Sequence, residues 1–226
     1  MRRSLLALCT LLLVSSIALP AIASPQPQPV CGPCGTGFEN AADREDIELT
    51  VIESTATVQI HDDGSATWRV TNTLQNESSA ASLRTHSKTL DTIVTYAIRR
   101  SSVDGPTENR SARVEGETVV LTFEDRDATT EVPGGVHVVD YLHSGGADSW
   151  SVLTADRFTV TGPEGTTVTT DPPGATVTGR NATWHGNGTA KMWDVRRLEL
   201  DGYGLRCGFA RDGRSDARAR PADTAP

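Results

Sequence analysis

Cys31-Gly32-Pro33-Cys34 is the stretch of this 226-residue chain whose residue types and spacing come nearest to chemistry. Two cysteines separated by two residues can exchange a disulfide when one thiol is made acidic, as at a helix N-terminus. The same spacing can supply half of a zinc site, with the other ligands drawn from His61, His86, His137, His143 and His185. No second Cys-x-x-Cys and no His-x-x-x-His accompanies it, so the five histidines read as scattered solvent-exposed residues. Asp62-Asp63 and Glu124-Asp125-Arg126-Asp127 do not follow an EF-hand loop and read as solvated turns. The chain has no Gly-x-Ser-x-Gly nucleophile turn, and no Walker or dinucleotide glycine pattern. No catalytic residue, cofactor-binding residue or metal ligand is therefore assigned, and no cofactor is expected.

What surrounds the two cysteines decides between their readings. The tetrapeptide is that of thioredoxin, whose fold delivers it on a strand to the start of a helix. This chain departs from thioredoxin everywhere else. Before Cys31 it has a secretory signal: Arg2 and Arg3, an apolar run from Leu5 to about Leu19, and the small-residue cleavage site Ala21-Ile22-Ala23. Cleavage would start the mature chain at Ser24 and leave seven residues before Cys31, too few for thioredoxin's strand. The apolar run is short of the roughly 20 residues that span a bilayer, and an uncleaved anchor is the alternative. Cys31 and Cys34 are expected to form a local disulfide or tether in an oxidising compartment. Cys207 is left over and can pair with either, with another chain, or with neither.

Composition sharpens the setting. The formal net charge is −8, and loss of Arg2 and Arg3 with the signal takes it to −10. Residues 24–190 hold 23 Asp and Glu against 11 Lys and Arg, whereas residues 191–226 are net basic. Lys88 and Lys191 are the two lysines. Such a surface repels itself in dilute solution, but at molar salt the Debye length falls to about 3 Å and the repulsion is screened. An acid-rich, lysine-poor chain suits brine. It also repels polyanions, which sets aside nucleic acid and anionic lipid as partners.

The elements follow from periodicity. Residues 24–37 read as an exposed, semi-stiff leader rich in Pro, Gln and Gly, and Phe38–Arg44 as a turn or two of helix. Leu49–Ile52 and Ala56–Ile60, the turn Asp62-Asp63-Gly64-Ser65, and Ala66–Leu74 make a hairpin with period-two alternation. Leu83, Leu90, Ile93, Val94, Ala97 and Ile98 recur at helical spacing, which predicts one amphipathic helix over about 79–100. Further strands are expected at 111–114, 118–123, 136–142, 149–153, 157–161, 166–169 and 175–178, with Gly and Pro in several connections. Trp68 and Trp150 are expected in the core, while Trp184 and Trp193 stand in looser sequence. The fold class is mainly β (α+β): an antiparallel sheet or β-sandwich with that one main helix packed on it. The organisation expected is signal peptide 1–23, leader with short helix 24–45, β-rich domain 46–190, and an arginine-rich disordered tail 191–226.

Four Asn-x-Ser/Thr sequons, at Asn76, Asn109, Asn181 and Asn187, fall in or near turns or element ends and are candidate glycosylation sites. The segments Cys31–Glu39, Ser54–Val58, Gly64–Trp68, Ala155–Gly165 and Asp171–Val177 resemble those of uncharacterised exported proteins of halophilic archaea. That resemblance implies a cell-surface or secreted domain, and it supplies no site residues. Such proteins often end in an apolar anchor, whereas this chain has an arginine-rich tail after about residue 190; a secreted form or an altered reading of the gene would both give that tail. The expectation is an exported, acidic, salt-adapted, non-enzymatic domain that binds a surface protein or glycan or serves the envelope, associated with a membrane only if the signal segment is retained. A thiol-redox or metal-binding protein using Cys31 and Cys34 is the alternative.

Overall fold

The structure is a computed structural model and describes residues 28–101, 103, 106–132, 136–139, 142, 151–168, 174–186 and 208–211. The signal segment, Asn187, Cys207, Trp150, Trp193 and His143 lie outside the described residues. In chain order the elements are β1 (Gln28–Pro29), α1 (Thr36–Asp43), β2 (Val51–Ile60), β3 (Ala66–Leu74), α2 (Glu77–Thr85) and α3 (Ser87–Arg99). There follow β4 (Thr107–Glu115), β5 (Thr118–Asp125), β6 (Thr129–Val132), β7 (Val136–Val139), β8 (Ser151–Val152) and β9 (Arg157–Thr161). β10 (Thr166–Val168), β11 (Ala175–Thr178), β12 (Asn181–His185) and β13 (Gly208–Arg211) complete the set.

The alternating hairpin β2–β3 is the middle of a seven-stranded sheet, in the order β11-β12-β9-β2-β3-β5-β4. Its register runs from Val51 opposite Leu74 to Ile60 opposite Ala66, with a bulge between Val51 and Glu53. Gly64, at φ 85°, closes the turn in a conformation that a Cβ disfavours. The fold is mainly β of the α+β type, as expected. Within the sheet one pairing departs from the antiparallel pattern: β2 and β9 run parallel, and a parallel pair leaves no local turn signal to read.

Period two places Ala56, Val58 and Ile60 on one face with Val70, Trp68 and Ala66. Leu121, Phe123, Phe158, Val160, Ala182 and Trp184 join them in register, and all are buried. Four aromatic rings run through this layer: Trp68 stacks on Phe123 at 5.4 Å, Phe158 lies 5.8 Å from Trp68, and Trp184 lies 5.8 Å from Phe158. Trp184 is thus a core residue in a strand that the loose sequence around it concealed.

The apolar helical stripe forms as expected, but on two helices rather than one. Leu83 belongs to α2, and Leu90, Ile93, Val94, Ala97 and Ile98 to α3; all are buried. The helix breaks at His86, with φ −113° and ψ 59°. There the Thr85 hydroxyl donates to Ala81 O and Ser82 O, and the His86 ring Nδ1 also reaches Ser82 O at 2.8 Å. Side chains competing for backbone groups is a known way to interrupt a helix. α1 buries Phe38, Ala41 and Ala42, and the Arg44 guanidinium just past its end lies 4.4 Å over the ring of Tyr96 on α3.

Two expectations are overturned at the ends. The leader is not an exposed strap from Val30 on, because residues 30–35 are all buried. Part of the tail is ordered: Gly208–Arg211 pairs with β10 on one side and β7 on the other, in a second sheet of order β10-β13-β7-β6. Phe209 is the single large apolar residue of that strand, so no alternation announced it.

Candidate functional site

Cys31 and Cys34 sit at disulfide distance, with Cα atoms 5.4 Å apart. Both side chains are fully buried. The local order is strand, Cys-x-x-Cys, helix, since β1 precedes the pair and α1 begins at Thr36. β1 is only two residues, paired with two residues of β8.

Three parts of the chain close over the pair. From the sheet, the Asn72 carboxamide of β3 donates through Nδ2 to Pro33 O at 2.9 Å. Its Oδ1 accepts from the Gly35 amide at 3.0 Å and from the Ser54 hydroxyl of β2 at 2.8 Å. The Ser54 Oγ also accepts from the Gly35 amide at 3.0 Å. Asn72 and Ser54 are inward-facing positions of a sheet whose other inward residues are mostly apolar, and both are buried. A buried polar side chain is costly unless bonded. These two are bonded to the backbone that carries the cysteines.

From the segment after β8, the Thr154 hydroxyl donates to Cys31 O at 2.5 Å. Asp156 accepts from the Ser54 amide at 2.7 Å and returns its own amide to Ser54 O at 2.8 Å. From α3, the backbone presses so closely on Gly32 that a Cβ there would strike Ala97 O and Ser101 N. Gly35 has φ 48°, and a Cβ on it would meet Thr154 O at 2.5 Å. Both glycines of the motif region are therefore packing requirements. Nothing in the residue spacing pointed to Ser54, Asn72 or Thr154; polar residues at inward-facing strand positions were the available signal.

Disulfide exchange needs a thiolate to reach a sulfur along the S–S axis. Cys31 and Cys34 have no exposed surface, so their sulfurs offer no such approach in this conformation. Among the described residues no group of three or more His, Cys, Asp or Glu side chains is gathered to hold a metal. His61, His86 and His185 are exposed, and the side chain of His137 is outside the described residues.

The outward face of the large sheet is of a different kind. Thr176, Thr183, Thr159, Thr57, Arg69, Thr122 and Ser111 stand in one register row that crosses all seven strands. Hydroxyl pairs link strands on this face: Thr55 with Thr71 at 2.7 Å, Ser111 with Thr122 at 2.6 Å, and Thr159 with Thr183 at 3.1 Å. Thr57, Arg69, Ser111 and Thr176 are exposed. Carboxylates lie off this row. Glu108 pairs with Arg126 and Glu115 with Arg113. The Arg113 guanidinium, through its hydrogen bond and its charge, holds the exposed Glu115 carboxyl below its ordinary value. At the hairpin turn the Ser65 hydroxyl and then its amide do the same for Asp63.

The sequons are placed apart. Asn76 is exposed at the N-cap of α2, Asn109 is exposed on β4 at φ 48°, and Asn181 is half-buried at the start of β12. No helix among the described residues is long and apolar enough to cross a membrane. Fold and site together define a mainly β domain of the α+β type, with a buried N-terminal disulfide pair and an open hydroxyl-rich sheet face. Compared with protein-family models, curated proteins and solved structures, the chain matches none.

Proposed function

We propose that this chain is an exported, acidic, salt-adapted surface domain without enzymatic activity, whose Cys31–Cys34 pair is a structural clasp. The observation that carries this is the complete burial of both cysteines beneath a network of buried hydrogen bonds. A redox enzyme must present a sulfur to its substrate, and a clasp must hide it. The clasp ties the chain entry to β2, β3 and α3, so that the N-terminal segment is integral to the core.

A binding or envelope role falls on the outward sheet face. Its central row offers hydroxyls and one guanidinium in an otherwise acidic molecule, which fits the hydroxyls of a neutral glycan better than a charged polymer. The resemblance to exported proteins of halophilic archaea and the acid excess support the cell surface, in high salt, as its place. Arrays of neutral and acidic glycans, probed in molar KCl with the wild type and with Arg69→Ala/Thr57→Val, test the face. Loss of a neutral-glycan signal in the variant is expected, and equal signals from both proteins would move binding elsewhere.

One observation favours the thiol-redox alternative: the strand, Cys-x-x-Cys, helix order around Cys31 and Cys34. Mass spectrometry after thiol alkylation without reductant, together with a dithiol-substrate assay and metal analysis, separates the two readings. A bridged pair with no turnover is expected. Turnover of a dithiol substrate, or stoichiometric metal, would overturn the clasp.

A further inference from the structure

The geometry points to Asn76 as the one described sequon that carries an N-linked glycan, an inference that rests on the export reading above. Each sequon needs a free carboxamide at its Asn and an accessible hydroxyl two residues on. At Asn109 both are engaged: Nδ2 donates to Glu124 Oε2 at 2.6 Å, and the Ser111 hydroxyl is paired with Thr122 at 2.6 Å. Asn109 also sits at φ 48°, held at the irregularity between Glu108 and Ser111 on an edge strand.

At Asn181 the residue is half-buried, flanked in register by Thr161 and Thr178, and the Thr183 hydroxyl is bonded to Thr159 at 3.1 Å. A sugar there would have to stand on the open sheet face between two strands. Asn76 differs in its backbone and in its free side-chain groups. It lies in extended backbone, φ −128° and ψ 132°, at a helix start where Asn ordinarily folds back to cap an amide, yet its side chain makes no capping bond. Asn76, Glu77 and Ser78 are all exposed, and among the described residues neither the Asn76 carboxamide nor the Ser78 hydroxyl has a side-chain hydrogen bond. The segment itself is pinned, since the Gln75 amide donates to Thr50 O at 2.9 Å. Modification there leaves every bond of the fold in place.

The step is a transfer from a polyprenyl-phosphate-linked sugar. Asn76 Nδ2 attacks the anomeric carbon, the bond from that carbon to the phosphate oxygen breaks, and one proton of the amide nitrogen passes to the departing phosphate. The polyprenyl phosphate leaves, and nothing is oxidised or reduced.

The test is intact-mass and glycopeptide analysis of the protein recovered from its native envelope, with N76Q, S78A, N109Q and N181Q variants. Glycan mass on the wild type, absent from N76Q and S78A and retained by N109Q and N181Q, is expected. A chain processed at Ser24 but bare at Asn76, or one modified at Asn109 or Asn181 instead, overturns the site. A bare chain found only in the cytoplasmic fraction, and in neither envelope nor medium, overturns the export reading, and the glycan with it. Circular dichroism of N76Q separates lost modification from lost fold, and an unchanged spectrum is expected.

Discussion

Asn72 Nδ2 donates to the carbonyl of Pro33 at 2.9 Å, joining the inner face of the central hairpin to the middle of the Cys-x-x-Cys turn across 39 residues of chain. With one carboxamide, Asn72 also accepts from the Gly35 amide and the Ser54 hydroxyl. That single side chain serves three groups buried beside the clasp.

Asn72→Ala should therefore cost more than a surface substitution. Pro33 O loses its Asn72 donor, the Gly35 amide and the Ser54 hydroxyl lose a shared acceptor, and a small cavity opens. A loss of about 2–4 kcal/mol is expected, with Ser54→Ala nearer to about 1–2 kcal/mol because Asn72 still serves Gly35. Urea unfolding checks this: the midpoint should fall with the slope unchanged.

Gly32 and Gly35, both closely approached by backbone, should be intolerant where a positive-φ glycine in open space is not. Gly35→Ala combines φ 48° with a Cβ 2.5 Å from Thr154 O, and a loss above about 2 kcal/mol is expected. Gly116→Ala has a similar φ of 59° but open space around it, and should cost about 1 kcal/mol. Equal losses in thermal or urea unfolding would show that packing at Gly35 contributes nothing.

Reduction should follow unfolding. A bridge between cysteines three apart closes a short loop, so its entropic contribution is only about 2 kcal/mol. Its burial, however, should make the native pair resistant to a small phosphine in molar KCl. Alkylation of Cys31 and Cys34 is expected only above the urea midpoint. Rapid labelling of the native protein would contradict the burial.

The Trp68, Phe123 and Phe158 cluster is the packing centre of the sheet. Phe158→Ala removes a fully buried ring between two tryptophans, and about 3–5 kcal/mol is expected to be lost. Tryptophan emission should shift to longer wavelength as water enters. An unshifted spectrum would place the emitting tryptophans elsewhere.

Acid should weaken the hairpin turn before it weakens the core. Asp63 and Glu115 have folded pKa values below their ordinary 3.8 and 4.5, so what they contribute is full above those values. It is lost as pH falls through the lower folded values, because the unfolded chain takes up the proton first. Both groups are exposed and the effect is small. Site-resolved carboxyl titration by NMR should place both midpoints low, and Asp63→Asn should remove the dependence at the turn.

Much of this architecture was legible along the chain. Period two marks β2, β3 and β5, because strands with one buried face must alternate. Arg157–Thr161 and Ala175–Thr178 appear with the boundaries their β-branched runs and flanking turns suggest. The helical stripe from Leu83 to Ile98 is also correct in its buried face. Its break at His86, at φ −113° and ψ 59°, is not, since the apolar spacing runs on across it. β6, β12 and β13 were missed, being five residues or fewer with weak patterning.

At the Cys-Gly-Pro-Cys turn, the sequence alone determined that two cysteines lie close enough to bridge, and its signal segment and acid excess set the expectations of export and brine. Only the tertiary structure decided that the turn is buried. Burial there depends on Asn72, Ser54, Thr154 and the backbone of α3, partners 19 to 123 residues away along the chain. A motif records the spacing of its own residues. Whether a sulfur meets solvent or the inner face of a sheet depends on chain segments that reach it only when the protein has folded.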